Sequence, residues 1–390
     1  MYSSHDFKVN VRSLTFEMTL RLKEYLRVLV KQKGSDLHIK SNAPVRGRIF
    51  GDIVTISKEI ISKEESLTLA KELLRSRFME LVENKSVDFT FKLNEEYNFR
   101  VNVFFQIDGI SFVFRTIPAQ IPTIGSLRLP PVVHNFCSLK RGLVLVTGPT
   151  GSGKTTTLAS IINEINAKSR KHIITIEDPV EFIFKDNRCI VNQRAIGQDA
   201  KNFSDALRAA LREDPDIILV GELRDIETIE TAIYAAETGH LVLSTLHTLD
   251  AKETVNRLVN MFPGSEQNRI KLSLASILEG VISQRLVKRV DKGRVAAVEI
   301  LIKNARIESL ILEGRENEIT DALKDGKDTY KTQTFDQSLI DLYKKGIISK
   351  KEAYLNASNR NDLKLQMDML ESETQDEFGD YKISIKKPIR

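Results

Sequence analysis

The chain has 390 residues, 41% hydrophobic and 28% charged, and its 58 basic and 53 acidic side chains leave a formal charge of +5. That length fits two or three domains, and so even a balance of charge gives no electrostatic case for a nucleic-acid partner. Cys137 and Cys189 are too few for a disulfide framework or a four-cysteine zinc site and suit a reducing cytoplasm, no run approaches the roughly 20 apolar residues that cross a bilayer, and the interspersed charges of residues 1–30 do not read as a signal peptide.

From Phe16 to Val30, the residues Leu20, Leu22, Leu26, Leu29 and Val30 fall mostly on one helical face, which predicts a helix. After Lys33 and Gly34, the segments Leu37 to Lys40, Val45 to Phe50, Asp88 to Lys92, Asn98 to Gln106 and Ile110 to Thr116 alternate or are rich in β-formers and are bounded by turn residues. A helix from about Lys63 to Leu81 sits among them, so residues 1–117 read as one α+β domain. Pro118, Pro122, Pro130 and Pro131 then deprive the chain of ladder and helix donors, and 118–132 reads as a linker.

Beyond it, the apolar runs Leu143 to Val146, Ile173 to Ile176, Ile217 to Val220, Leu241 to Thr245 and Ala296 to Ile302 alternate with helical segments. Near-continuous apolar strands suit a parallel sheet covered on both faces, and residues 133–370 read as an α/β nucleotide-binding domain that becomes helical after Ile307. The last residues, 371–390, are acidic from Glu371 to Asp380 and basic from Ser384 onward, and read as a disordered tail.

Directly after the first of those strands stands Gly148-Pro149-Thr150-Gly151-Ser152-Gly153-Lys154-Thr155, a complete phosphate-binding loop. Its glycines let consecutive N–H groups face a polyphosphate, Lys154 neutralises the β and γ oxygens, and the Thr155 hydroxyl can hold Mg²⁺. A helix opening at Lys154 and running through Thr156 aims its positive end at the same anion. The next strand ends in Glu177, Asp178 and Glu181, three carboxylates at the edge where open α/β sheets bind ligands, against the alternative of a solvated acidic turn. Ile217 to Val220 delivers Glu222 to that edge, with Gly221 where many phosphate-loop enzymes carry an Asp, which leaves Glu222 as the acid nearest the metal or the attacking water. Arg224 and Asp225 read as a local ion pair capping the turn. His240 and His247 bracket the following strand and could report nucleotide state, although no third ligand makes them a zinc pair.

These elements, in this order, resemble the secretion ATPase superfamily of type II secretion, type IV pili and their relatives, in which they are the Walker A, Asp, Walker B and His boxes. The stretch from Arg212 to Asp225 is the most specific, Gly34 to Ile39 looks like the opening of the N-terminal domain in the pilus-retraction branch, and the likeness spans roughly Leu20 to Leu370. It implies a PAS-like domain followed by a RecA-like phosphate-loop domain, and a homohexamer that hydrolyses ATP with Mg²⁺ at subunit interfaces. It further implies work at the cytoplasmic face of the inner membrane, with a platform protein and a second retraction ATPase as partners. Carried over, Lys154 and Thr155 bind phosphate and Mg²⁺, with Thr156 and Glu177 among the nucleotide-binding positions. Glu181 and Glu222 divide water activation and metal positioning. Arg100 and Arg115 match arginines that reach nucleotide across an interface, their alternative being surface pairing on neighbouring strands.

Extension and type II secretion ATPases carry a late tetracysteine element, and here no cysteine follows Cys189, which points to the retraction branch, the PilT/PilU family. Ile307, Leu310, Ile311, Glu313 and Gly314 match a PilT-type segment while Glu308 and Leu312 replace its arginines, and the stretches Thr332 to Tyr343 and Asn356 to Leu365 look closer to PilU. The rivals are a pilus-extension or type II secretion ATPase and, in another class, a RecA-like nucleic-acid translocase, which balanced charge disfavours.

Overall fold

A computed structural model describes residues 4–94, 96–117 and 120–379, with side chains from 18 to 369. It divides into two compact units, Met1–Ile121 with Ile174–Ala209, and Pro122–Ile173 with Ala210–Arg390.

In the first unit, helix α1 (Ser4–Lys31) precedes strands β1 (Asp36–Lys40), β2 (Ala43–Ile49) and β3 (Asp52–Ile61), helices α2 (Lys63–Leu74) and α3 (Phe78–Asn84), and strands β4 (Ser86–Lys92), β5 (Asn98–Gln106) and β6 (Gly109–Ile117). The strands pair antiparallel in the order β3-β2-β1-β6-β5-β4, the PAS-like α+β arrangement. Period-2 burial makes its core: Phe99, Val101 and Val103 of β5 and Ile110, Phe112 and Phe114 of β6 join Leu22, Leu26 and Leu29 of α1. Leu20, placed on that apolar face by its spacing, is instead exposed. A capping box fixes the start of α2, with Glu65 N–H donating to Ser62 Oγ and Ser62 N–H to Glu65 Oε2. The single helix expected from Lys63 to Leu81 breaks at Arg75, whose φ of 51° cannot continue an α-helix, and α3 restarts after a 3₁₀ turn. β3 escaped the sequence pattern because it is an edge strand with little alternation in burial.

The second unit begins with α4 (Val133–Phe136), β7 (Gly142–Thr147) and α5 (Lys154–Lys168), and β8 (His172–Glu177) starts in it. The chain then contributes β9 (Ile190–Ala195) and most of α6 (Phe203–Ala210) to the first unit before β10 (Ile217–Val220), α7 (Ile226–Glu237), β11 (Leu241–Leu246), α8 (Ala251–Asn260), α9 (Gly264–Ile277), β12 (Leu278–Lys288) and β13 (Arg294–Ile302). Helices α10 (Ala305–Glu313), α11 (Ile319–Asp325), α12 (Lys327–Tyr330), α13 (Phe335–Lys344), α14 (Lys350–Asn356) and α15 (Arg360–Gly379) follow. β12, β7, β11 and β10 are neighbours in parallel register, all four sides of β7 and β11 are buried, and β13 adds antiparallel to β12. This is the RecA-like sheet, with an antiparallel edge that the apolar runs did not announce. β12 itself was missed because Ser283 and Gln284, both buried, interrupt its apolar run.

Residues 174–209 group with the first compact unit, where Arg100 faces Glu181 and Arg77 lies against Gly197, while β8 and β9 are strands of the same seven-stranded sheet as β7, β11 and β10. The stretch 371–379, expected disordered, continues α15, in keeping with a sequence free of proline. The rest of the tail, 380–390, and residues 118 and 119 of the linker lie outside the described residues. No described helix is long and apolar enough to cross a membrane.

Candidate nucleotide site

Loop 148–153 leaves the buried end of β7 and enters α5 with Gly148, Gly151 and Gly153 at φ values of 141°, 78° and 91°. Side chains rarely adopt such values, so the bend needs glycine. Pro149, Thr150 and Gly151 form an exposed tip, while Ser152 is buried and its Oγ has no hydrogen-bond partner among the described residues. Gly153 caps α5 with no side-chain acceptor, so the first N–H groups of a 15-residue helix face the loop and its positive end suits an anion. Lys154 is buried, and its Nζ donates to the carbonyl oxygens of Gly148 at 2.9 Å and Pro149 at 3.2 Å, which folds the ammonium over the loop. Thr155 and Thr156 are half-buried at the start of the helix. Beside them a cavity of about 220 Å³ is lined by Arg128, Gly153, Thr156, Arg289 and Arg294 among others.

Parallel register puts the ends of β7, β11 and β10 at one edge, with Leu246 opposite Thr147 and Val220 opposite Ser244. Glu222 emerges two strands from the loop, about 10 Å away at ordinary strand spacing. Its backbone is held on both sides by Thr245, whose Oγ1 donates to Gly221 O at 2.7 Å and whose carbonyl accepts from Leu223 N–H at 3.1 Å. The Glu222 carboxylate is mostly shielded, contacts the Arg224 guanidinium and lies 3.4 Å from His247 Nε2. Arg224 therefore pairs with Glu222 and not, as expected, with Asp225. Asp225 caps α7 instead, accepting from Thr228 N–H and Oγ1 at 2.8 Å each. His240 is at the opposite edge: it precedes β11, its carbonyl accepts from Gly142 N–H, and its Nδ1 lies 2.9 Å from Ala235 O. A six-residue strand, roughly 20 Å long, separates it from His247. The two histidines therefore flank opposite ends of β11.

Glu177, Glu181, Arg100 and Arg115 fall in the first unit. Glu177 is buried; burial raises its pKa against the hydrogen bonds from Thr175 Oγ1 at 2.7 Å and Gln193 Nε2 at 3.2 Å. Gln193, which no motif singled out, also bridges Phe182 O and Phe184 N–H and so shapes the turn that carries Glu181. Arg100 and Arg115 are direct cross-strand partners on β5 and β6. Like charges so placed repel, and each has an acid: Arg100 lies 3.9 Å from Glu181, and Arg115 Nε donates to Asp36 Oδ1 at 2.8 Å. Burial alone would raise the Asp36 carboxyl, but the bonds from Arg115 and Ser35 outweigh it and hold the carboxyl below its ordinary value. Both arginines remain substantially exposed.

A polyphosphate cradle with a lysine over it and an acid at the same edge of a RecA-like sheet places the chain among the phosphate-loop ATP hydrolases. The family described as Type II/IV secretion system protein matches residues 16–305, and the chain belongs to it. It is 44% identical over 334 residues to the type IV pilus retraction ATPase PilT of Pseudomonas aeruginosa, covering 85% of this chain and 96% of the relative. It is 35% identical over 350 residues to the type IV pilus ATPase PilU of the same organism, covering 89% and 91%. A crystal structure of the pilus retraction motor PilT with bound ADP superposes with a TM-score of 0.81 at 43% identity, covering 88% of this chain and 98% of that one.

Proposed function

We propose that the chain is one subunit of a homohexameric motor that hydrolyses ATP to power type IV pilus retraction, docked on a platform protein at the cytoplasmic face of the inner membrane. The observation that supports it is an intact loop and Glu222 in a chain that aligns with 96% of the length of a pilus retraction ATPase. In this reading the loop N–H groups and Lys154 take the β and γ phosphates, and the adjoining cavity takes the nucleoside. The hard oxygen of Thr155, with Glu222 nearby, suits Mg²⁺, which binds through one or two protein groups together with substrate phosphates. No group of three or more acids, histidines or cysteines able to hold a metal by themselves occurs among the described residues. When bound, the ion neutralises charge on the phosphates.

Glu222 orients the attacking water and receives its proton as the bond between the γ phosphorus and the bridging oxygen breaks, leaving ADP and phosphate. His247 steadies the Glu222 carboxylate, and exposed Arg224 is free to leave it. Glu181 shares metal positioning and water activation with Glu222, Glu177 stands among the nucleotide-binding positions, and Arg100 and Arg115 complete the site of a neighbouring subunit. Closure of one subunit on the next with ATP, and its reopening after hydrolysis, would turn chemistry into rotation. Glu222→Gln is expected to bind ATP and turn it over at least about a hundredfold more slowly, the scale of lost general-base assistance. Wild-type turnover by that variant would overturn the assignment.

A further inference from the structure

Gln284 lies in β12, beside β7 and 132 positions from the phosphate loop, and it is buried. Its Nε2 donates to the carbonyl of Ser152 at 2.6 Å, and its Oε1 accepts from Thr157 Oγ1 at 2.9 Å. A primary amide donates and accepts from one rigid plane, so this side chain spans the end of the loop and the first turn of α5. The fit extends to the backbone. A Cβ at Gly148 would collide with the Gln284 carbonyl oxygen, and one at Gly153 would come within 3.1 Å of Gln284 Nε2. The strand that carries it is fixed on both sides. Ser283 Oγ accepts from Thr147 Oγ1 at 2.8 Å, and the Arg285 guanidinium stacks 4.0 Å from the centre of the Phe335 ring.

We infer that Gln284 is a positioning residue for nucleotide binding, a two-point clamp that holds residues 152–157 in the curvature at which their N–H groups face phosphate. A loop with three glycines has many alternative shapes, and holding it in one removes an ordering cost that nucleotide binding would otherwise carry. The clamp acts before and during the reaction alike, so its loss falls on KM more than on kcat. Thr157 is its partner on the helix and is not itself a phosphate contact.

This inference rests on the nucleotide reading of the loop, and the test separates the two. ADP affinity and steady-state ATP hydrolysis are measured for the wild type, Lys154→Ala, Gln284→Leu, Gln284→Glu, Thr157→Val and the double variant Gln284→Leu with Thr157→Val, each checked for native circular dichroism. Gln284→Leu and Gln284→Glu are expected to raise KM and the ADP dissociation constant about tenfold, the scale of one or two lost neutral hydrogen bonds, and Thr157→Val less. The double variant is expected to match Gln284→Leu, because the hydroxyl then has no partner left to lose. Should Gln284→Leu fail to fold, the near-isosteric Gln284→Glu, which accepts from Thr157 but cannot donate to Ser152, carries the test with Thr157→Val. Wild-type affinity in the Gln284 variants, or fully additive losses in the double variant, would overturn the clamp. A wild-type protein that binds no ADP would overturn the nucleotide reading instead.

Discussion

Replacing Glu299 with Gln should abolish a pH dependence of stability built into the second unit. Glu299 is buried on β13, and its Oε1 accepts from Ala251 N–H at 2.9 Å, at the start of α8 just after the His247 loop. Burial pushes its carboxyl up to about 7 from an ordinary 4.5, against the Ala251 hydrogen bond. Between those values the folded chain keeps a proton that the unfolded chain has released, so stability is fully present below pH 4.5 and is lost as pH rises through 7. At 1.36 kcal/mol per unit the loss is about 3 kcal/mol. The amide of Gln can still accept from Ala251 and carries no charge at any pH. The stability of Glu299→Gln relative to wild type should therefore rise by about 2–3 kcal/mol between pH 5 and pH 8. Because the chain has no tryptophan, urea unfolding followed by far-ultraviolet circular dichroism is the suitable assay. Parallel curves for the two proteins across that range would mean that the Glu299 carboxyl is not held up in the folded chain.

His247→Ala should lower kcat about tenfold or more, about 1.4 kcal/mol of lost support for the Glu222 carboxylate, while His240→Ala, altered at the far edge, should leave turnover within about twofold; equal effects in an ATPase assay would contradict the placement. Gly148→Ala meets both a φ of 141° and the Gln284 carbonyl, and should destabilise by about 2 kcal/mol or more in a urea titration while abolishing ADP binding. Asp36→Asn frees Arg115 and removes a carboxyl held below its ordinary 3.8. That carboxyl's contribution is present above pH 3.8 and fades as pH falls through its folded value, so the variant's deficit against wild type in acid-unfolding curves should shrink toward low pH.

The phosphate loop and Glu222 were legible because each is set by a short run of chain, a strand and the residues that leave it. What the run could not reveal is which edge of the sheet a side chain reaches, and so His240 and His247 read as a pair although a strand's length parts them. Gln284 and Glu299 were invisible for a related reason. Both are polar residues buried in strands whose partners, Ser152 and Ala251, are distant in sequence, so no local pattern marks them. The break of the helix at Arg75 came from a backbone angle that its composition does not demand. Segment 174–209 has the strand pattern of the second domain, and β8 and β9 do stand in its seven-stranded sheet, but periodicity carries no information that its turn brings Glu181 to Arg100.

The most direct test of the central claim is to exchange the chromosomal copy for Glu222→Gln in the host and follow labelled pili on living cells. Pili are expected to be made, to accumulate and to fail to retract. Bald cells would mark an extension motor, and retraction at the wild-type rate would contradict the claim that this chain's ATP hydrolysis drives it.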